Sequence, residues 1–296
     1  MARRKRSFLR RFLTLILIAV IVFCAGIAIL LATGKAQKID GVVYIPSVRT
    51  SVDINNGDLI LVDSEYEYRI DKTPTVSVSA RKNRSYKVRD NDIRLRAVTV
   101  KQLNDLFTEV KKATGANCFC VNSGYRSREE QDAIYNERID SYGEDRGSAL
   151  AAMPGHSEHE TGLACDLVWL ADDGSVDAIN TVGAYGELAA DCWKYGFVQR
   201  YKADKTYITG ISDEPWHFRY VGAPHAYIME REDLCLEEYV DYVRDYTYEQ
   251  PLVSRGGDGS EALIYFCGGT SITVPLMKKH SVSGNNIDGF IVTVYP

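Results

Sequence analysis

The sequence of 296 residues lacks the cysteine pairs, the repeats and the low-complexity segments that mark several common protein classes. Its seven cysteines include no CxxC pair, which argues against zinc knuckles held by thiolates. Only five histidines are present. The chain shows no internal repeat and no low-complexity segment. With 45% hydrophobic and 25% charged residues, the composition is that of a globular protein rather than a disordered one.

Acidic residues are absent from the N-terminal part of the chain. The first eleven positions carry six basic residues, and an uncharged apolar run occupies 12–33. A helix of that length crosses roughly 30 Å of hydrocarbon. The basic flank therefore predicts a cytoplasmic tail over 1–11, a single transmembrane anchor over 12–33 and an extracytoplasmic remainder. A cleaved signal peptide is the alternative, although 32–34 match a cleavage site poorly.

The remainder of the chain has an excess of acidic side chains. The whole sequence holds 35 Lys and Arg against 40 Asp and Glu, so removing the six basic residues of the tail leaves 29 against 40, a net charge of −11. This balance argues against nucleic acid and against binding to anionic surfaces by bulk charge. Six cysteines lie beyond the apolar run. Two alternatives remain for these six cysteines: one or two disulfides, or buried free thiols.

The segments after the apolar run differ in pattern. We predict a stalk over 34–52, a main domain over 53–250 and a small C-terminal β extension of unknown role over 251–296. Apolar runs predict strands at 57–66, 118–121, 163–170, 196–201 and 214–221. Cap signals and spacing predict helices after Thr99 and after Ser127, and over 181–196 and 236–248. The segment 143–155 is predicted as a loop over the site.

Two short stretches carry side chains suited to a metal. SEHETGLACDL contains His159 and Asp166, and EPWHFRY contains Glu214 and His217. A catalytic zinc usually takes three protein ligands and leaves a fourth position for water, so the two imidazoles and Asp166 form a suitable set. Glu214 remains outside this set and can move a proton from water to a leaving amine. In a regular strand Glu214 and His217 point to opposite faces, so we expect Pro215 to turn both towards one pocket.

A third stretch, SGYRSREEQ, is suited to the substrate. Arg126 lies at a strand-to-helix turn, and its planar guanidinium matches the terminal carboxylate that an exopeptidase must recognise. Ser127 and Gln131 can add hydrogen bonds to the same group. Trp216 is expected to form a wall of the pocket.

The other candidate residues receive weaker interpretations. His156 lies near the site without a required role. His225 and His280 are predicted at the surface. Cys165 alternates with Asp166 along a strand, so we expect its thiol to point away from the metal and into the core.

Three motifs together resemble a known family. The stretch that starts at Ser157 reads SxHxxGxAxD, the one that starts at Glu214 reads ExWH, and SGYRS is followed by Gln131. Along the chain their order is SGYRS, SxHxxGxAxD and ExWH, and with this order, over roughly 57–239, they resemble the zinc D-alanyl-D-alanine carboxypeptidases of the VanY type. The resemblance implies an α+β fold of the hedgehog/DD-peptidase type, with a central antiparallel sheet flanked by helices.

The resemblance also implies roles for individual residues. One zinc ion per chain would be held by His159, Asp166 and His217, with Glu214 as the catalytic base. The predicted substrate contacts are Arg126, Ser127, Gln131, Ser157 and Trp216. The segment after Arg255 lies outside the resemblance.

The implied activity is the removal of the terminal D-alanine from peptidoglycan stem peptides by a membrane-anchored zinc D,D-carboxypeptidase. A role in glycopeptide resistance and a role in ordinary wall trimming are both open. An L,D-carboxypeptidase acting on tetrapeptides carries the same motifs. A non-catalytic binder of wall peptides with a structural metal is a further alternative. Iron(II) oxygenases also use two histidines and a carboxylate, but with closer spacing and without a spare base such as Glu214.

Overall fold

A computed structural model describes residues 2–256 and 259–296, with side chains from residue 11 onward except at position 149. Its first element is the long helix α1 (Ala2–Ala32). Within α1, Arg11–Ala32 has a mean hydropathy of 3.2 and none of its most apolar part is buried. Among the described residues this is the one helix long and apolar enough to cross a membrane, and a signal sequence has the same properties.

The remaining described residues form helices and strands that alternate irregularly. The helices are α2 (Val78–Arg81), α3 (Ala97–Thr114), α4 (Arg128–Tyr142), α5 (Glu144–Leu150), α6 (Tyr185–Asp191), α7 (Thr206–Thr209), α8 (Ala223–Arg231) and α9 (Leu236–Tyr242). The strands are β1 (Gln37–Ile39), β2 (Val42–Val48), β3 (Val76–Ser77), β4 (Lys87–Val88), β5 (Arg94–Leu95), β6 (Phe119–Ser123), β7 (Ala164–Leu170), β8 (Val176–Asp177), β9 (Phe197–Tyr201), β10 (Glu214–Tyr220), β11 (Leu252–Arg255), β12 (Glu261–Gly268), β13 (Ser271–Pro275), β14 (His280–Gly284) and β15 (Gly289–Val294).

A six-stranded sheet forms the centre of the molecule. Its strands follow the order β4-β6-β7-β10-β9, with β8 paired to β7. All pairs are antiparallel except the short pair β4–β6. The C-terminal strands form a second antiparallel sheet in the order β11-β12-β15-β14. The predicted α+β class, with a central antiparallel sheet, flanking helices and a C-terminal β segment, is therefore confirmed.

Helix α3 covers one face of the central sheet. Its buried side chains, including Leu103 and Phe107, pack against Phe119, Cys165 and Phe218 of the sheet. The helix ends at Gly115, which has φ +74 and suits a left-handed C-cap. It begins at Ala97 rather than after Thr99.

Thr99 does not cap helix α3 as predicted. Its hydroxyl is buried and donates to the carbonyl of Gly162 at 3.3 Å. The N-cap is Arg96, whose guanidinium donates to the carbonyl of Thr161 at 2.8 Å. The start of α3 is therefore tied to the turn that precedes β7, a long-range contact that the local pattern does not report.

The apolar run at 57–66 is not a strand, so that prediction is wrong, although its residues 59–62 are buried. Its backbone groups bond to side chains and, through the amide of Leu61, to the carbonyl of Asn285 at 3.2 Å, rather than to a neighbouring strand. Arg219 donates to the carbonyls of Asp58 and Ile60, at 3.0 and 2.9 Å. Ser283 accepts from the amide of Leu59 at 2.9 Å. Because these groups are satisfied in this way, the segment stays irregular in the interior.

The segment predicted as a stalk contains regular structure. Its strands β1 and β2 form a three-stranded sheet with β13 of the C-terminal segment. Tyr44 pairs with Pro275 and Val48 pairs with Ser271. The 34–52 segment is therefore folded against 251–296 over most of its length rather than running as a free linker.

Three further predictions need correction. The segment 143–155 holds helix α5 as well as loop residues. The last predicted helix ends at Tyr242 rather than at Tyr248. His225 is buried, not exposed, because it lies on α8 and contacts Tyr239 of α9 and Thr293 of β15. All seven cysteines are free thiols, which leaves the free-thiol alternative of the two considered above.

Candidate metal centre and active site

The three predicted ligands meet on the face of the central sheet opposite α3. His217 of β10 lies directly across from Asp166 of β7 in the antiparallel register. His159 joins them from the short turn Glu158–Thr161. One ligand atom from each residue lies within 4.8 Å of the others, and all three side chains are buried.

Hydrogen bonds fix the orientation of the His159 ring. Its Nδ1 lies 2.6 Å from the carbonyl of Gly124, and its Nε2 lies 3.3 Å from Asp166 Oδ2. A carbonyl can only accept, so Nδ1 carries the proton and Nε2 offers its lone pair to the site. Gly162 ends the turn with φ +68, and a Cβ there would meet Thr75 at 3.1 Å.

The His217 ring is oriented by two carboxylates. Its Nδ1 lies 3.1 Å from Asp166 Oδ1 and its Nε2 lies 3.4 Å from Glu158 Oε2. Two imidazole nitrogens and one carboxylate thus converge, while the outer nitrogen of each ring faces an acceptor. Nitrogen and oxygen donors held in this way fit a zinc ion with an open position.

An irregular register in β10 brings Glu214 to the same cleft. Glu214 pairs with Tyr201 and Phe218 pairs with Gln199, so β10 has two more residues than β9 between these pairs. Pro215 lies in this irregular part. Glu214 Oε2 comes within 3.7 Å of His217 Nδ1, as the sequence analysis expects. Burial raises the pKa of Glu214, an effect that the nearby His217 opposes.

Arg126 lies beside the ligands rather than at a distance from them. Its Nη2 is 3.0 Å from Asp166 Oδ2 and 3.0 Å from Ser123 Oγ, and its Nη1 donates to Gln131 Oε1 at 3.3 Å. Gln131 is buried and donates in turn to the carbonyl of Ala152 at 2.8 Å. Gln131 therefore orients the guanidinium.

The structure separates the remaining predicted substrate contacts into two groups. Ser157 and Trp216 line the cleft, with Trp216 39% exposed. Ser127 does not line it, because its hydroxyl accepts from the amide of Glu130 at 3.2 Å and caps α4. His156 also lies outside the lining, and its Nδ1 contacts the carbonyl of Asp63 at 2.6 Å.

Glu158 is the residue that the sequence analysis left without a role. Its Oε1 accepts from Arg200 Nε and Arg219 Nη1, both at 2.8 Å, and all three side chains are fully buried. Although burial favours the neutral carboxyl, the two guanidinium groups hold the pKa of Glu158 well below its usual range. The sequence signal was a glutamate directly before a predicted ligand, but its partners lie 42 and 61 positions away.

An α+β fold that presents two imidazoles, an aspartate, a nearby glutamate and an arginine in one cleft has the arrangement of a metal-dependent peptidase. The family model for VanY, D-alanyl-D-alanine carboxypeptidase, matches residues 92–223. A D-alanyl-D-alanine carboxypeptidase of Enterococcus faecium is 34% identical over 254 residues, which are 83% of this chain and 78% of that protein. The chain belongs to the VanY family of D-alanyl-D-alanine carboxypeptidases.

Solved structures agree with this assignment. The vancomycin-resistance D,D-dipeptidase VanXYg, in complex with a D-Ala-D-Ala phosphinate analogue, is 34% identical with a TM-score of 0.76, covering 86% of this chain and 99% of that one. A variant of the D,D-pentapeptidase VanY from a VanB-type cassette, in complex with Zn(II), is 32% identical with a TM-score of 0.52, covering 62% and 98%. The match to VanXYg is wider than the 57–239 region that carries the motifs.

Proposed function

We propose that this protein is a zinc-dependent D,D-carboxypeptidase that hydrolyses the terminal D-Ala-D-Ala bond of peptidoglycan stem peptides and releases D-alanine. The observation that carries the proposal is the convergence of His159, Asp166 and His217, with Glu214 beside them and outside the ligand set. A closed structural site needs no such extra carboxylate, which argues for catalysis over binding alone.

Each residue of the cleft has a task in this reaction. A zinc ion on His159, Asp166 and His217 would supply Lewis-acid polarisation of the scissile carbonyl and a water with a pKa of about 7. Glu214 takes a proton from the attacking water and donates it to the leaving amine of D-alanine. Arg126, held by its neighbours, binds the terminal carboxylate of the substrate.

The surroundings of the cleft complete the proposed function. Ser157 and Trp216 line the space in which the peptide end would lie. We assign 1–11 to a cytoplasmic tail, 12–33 to a membrane anchor and 53–250 to the catalytic domain, outside the membrane. This location suits a wall peptide as substrate, because stem peptides lie outside the cell membrane. The apolar exposed surface of α1 supports the anchor.

A peptide-release assay tests the proposal. The full-length chain, in detergent micelles and supplied with zinc, is incubated with a stem pentapeptide ending in D-Ala-D-Ala and, separately, with the tetrapeptide. We expect D-alanine, followed by mass spectrometry, to be released from the pentapeptide and not after chelation. Release from the tetrapeptide alone would transfer the activity to the L,D class. Binding of both peptides without release would support the wall-peptide binder.

A further inference from the structure

Beneath the cleft lies a buried charge cluster that we define as Glu158, Arg200, Arg219 and Glu237. We propose that Glu158 is a positioning residue for the zinc ligand His217, and that Arg200 and Arg219 hold Glu158 in place for this task. The inference rests on the proposed zinc site and extends it from the ligands to the groups behind them.

The two oxygens of Glu158 have separate partners. Oε1 accepts from Arg200 Nε and from Arg219 Nη1, both at 2.8 Å. Oε2 faces His217 Nε2 at 3.4 Å. Because the arginines engage one oxygen from two directions, the carboxylate cannot rotate without losing a buried ion pair, and its other oxygen stays aimed at the imidazole.

The ring of His217 needs this acceptor. His217 faces the metal position through Nδ1, so a neutral imidazole must carry its proton on Nε2. Among the described residues, Glu158 is the acceptor within hydrogen-bonding distance of that nitrogen. A charged acceptor fixes the tautomer and also makes the ligand nitrogen a stronger donor.

The two imidazole ligands differ in this respect. The outer nitrogen of His159 faces the neutral carbonyl of Gly124 at 2.6 Å. That of His217 faces a carboxylate with no exposed surface. We therefore expect His217 to be a more electron-rich ligand than His159.

The rest of the cluster neutralises the charges that this arrangement buries. Arg200 makes two further contacts with the carboxylate of Glu237, at 2.6 and 2.9 Å. The charges of the two guanidinium groups and the two carboxylates then sum to zero. Buried ion pairs of this kind contribute little net stability compared with apolar side chains of similar volume. Their presence in this protein agrees with a role in orienting His217.

Glu237 supplies a matched control for Glu158. Both carboxylates face Arg200 in the interior, so replacing either with glutamine leaves one uncompensated guanidinium charge. Only Glu158 contacts a ligand. A purely structural cluster would leave the zinc affinity of the folded protein the same in both variants, whereas a positioning role lowers it for the Glu158 change alone.

The test compares zinc affinity in the full-length wild type, Glu158→Gln, Glu158→Asp and Glu237→Gln by competition with a chromophoric chelator. We expect Glu158→Gln to weaken zinc binding by about 10–100-fold. Glu158→Asp keeps the charge but withdraws the carboxylate by one methylene, so a smaller weakening is expected. Glu237→Gln should stay within about threefold of wild type. The visible spectrum of the Co(II)-loaded proteins should change for the two Glu158 variants only.

The outcomes separate this inference from the proposed function. A wild type that does not bind zinc would contradict the proposed function itself. A wild type that binds zinc, with Glu158→Gln binding equally well or Glu237→Gln weakened to the same degree, would overturn the positioning role alone. If Glu158→Gln does not fold, the charge-conserving Glu158→Asp decides: an unchanged affinity and Co(II) spectrum contradict the inference.

Discussion

The two faces of the central sheet are covered by different kinds of side chain. Towards α3 the strands present Cys165 and Phe218, which pack among apolar side chains. On the opposite face the very next residues are Asp166, His217 and Arg219, which contact other charged or titratable groups. Strand alternation thus gives each strand one face that stabilises the fold and one that orients reactive groups. We therefore expect that stability and chemistry can be changed separately in this protein.

The largest expected effect comes from the reactive face. Replacing Glu214 with glutamine removes the proposed base while keeping its shape, so turnover should fall by about 10²–10⁴-fold. Zinc content and unfolding free energy should stay near wild type, because Glu214 is outside the ligand set. The measurement is D-alanine release at saturating peptide, with metal analysis of the same sample. Turnover at the wild-type rate would remove Glu214 from the mechanism.

A change on the apolar face should have the opposite signature. Leu103 is fully buried on α3, so Leu103→Ala should lower the unfolding free energy by about 2–5 kcal/mol through lost burial and a residual cavity. The folded fraction should retain its zinc affinity. Urea unfolding followed by circular dichroism measures the loss. The control is Lys112→Ala on the exposed side of the same helix, with an expected change within about 0.5 kcal/mol. A large loss of zinc affinity in Leu103→Ala would show that the two faces are coupled.

A comparison of two histidines extends the contrast beyond the sheet. His217 has carboxylate neighbours, whereas His225 contacts only hydroxyl groups, with Tyr239 at 2.6 Å and Thr293 at 3.0 Å. Burial lowers the pKa of His225 from 6.5 to about 3. Between these values the unfolded chain binds the proton and the folded chain does not. The stability that depends on a neutral His225 is therefore fully present above pH 6.5. It is lost as the pH falls from 6.5 towards 3, by about 1.4 kcal/mol per pH unit.

The variant His225→Gln isolates this contribution. We expect its unfolding free energy to decline less steeply than that of wild type between pH 6.5 and 4.5. Urea titrations at several pH values, analysed as the difference between the two proteins, cancel the other titrating groups. Parallel curves would contradict the assignment of a neutral His225.

The smallest expected effect concerns a serine that the sequence places in the site. Ser127→Ala should lower the unfolding free energy by about 1 kcal/mol, because Ser127 caps α4. KM for the pentapeptide should not change, since the hydroxyl does not line the cleft. Ser157→Ala provides the comparison, because Ser157 does line it. An increased KM in Ser127→Ala would restore the original prediction for this residue.

These residues also show which features could be predicted from the sequence alone. The predicted ligand set and the extra glutamate follow from local motifs, the α+β class follows from the family that these motifs resemble, and the structure brings the three predicted ligands together. For Ser127 the sequence predicts both a helix cap and a substrate contact; the structure shows the cap, and the substrate contact stays a prediction for the KM measurement to decide. The charge cluster was missed because Glu158 meets Arg200 and Arg219 only through the sheet. The run at 57–66 has the apolar pattern of a strand because its residues 59–62 are buried, although they do not pair with a neighbouring strand.

The pairing of β2 with β13 has a mechanical consequence. Tension applied to the chain at the end of α1 first reaches β1 and β2, and the five cross-strand pairs with β13 pass it on to the C-terminal segment. Strands β7 and β10, which carry the predicted ligands Asp166 and His217, belong to a different sheet and lie off this path. Force applied between the end of α1 and the C-terminal segment can therefore pass through this small sheet without stretching the strands that form the cleft.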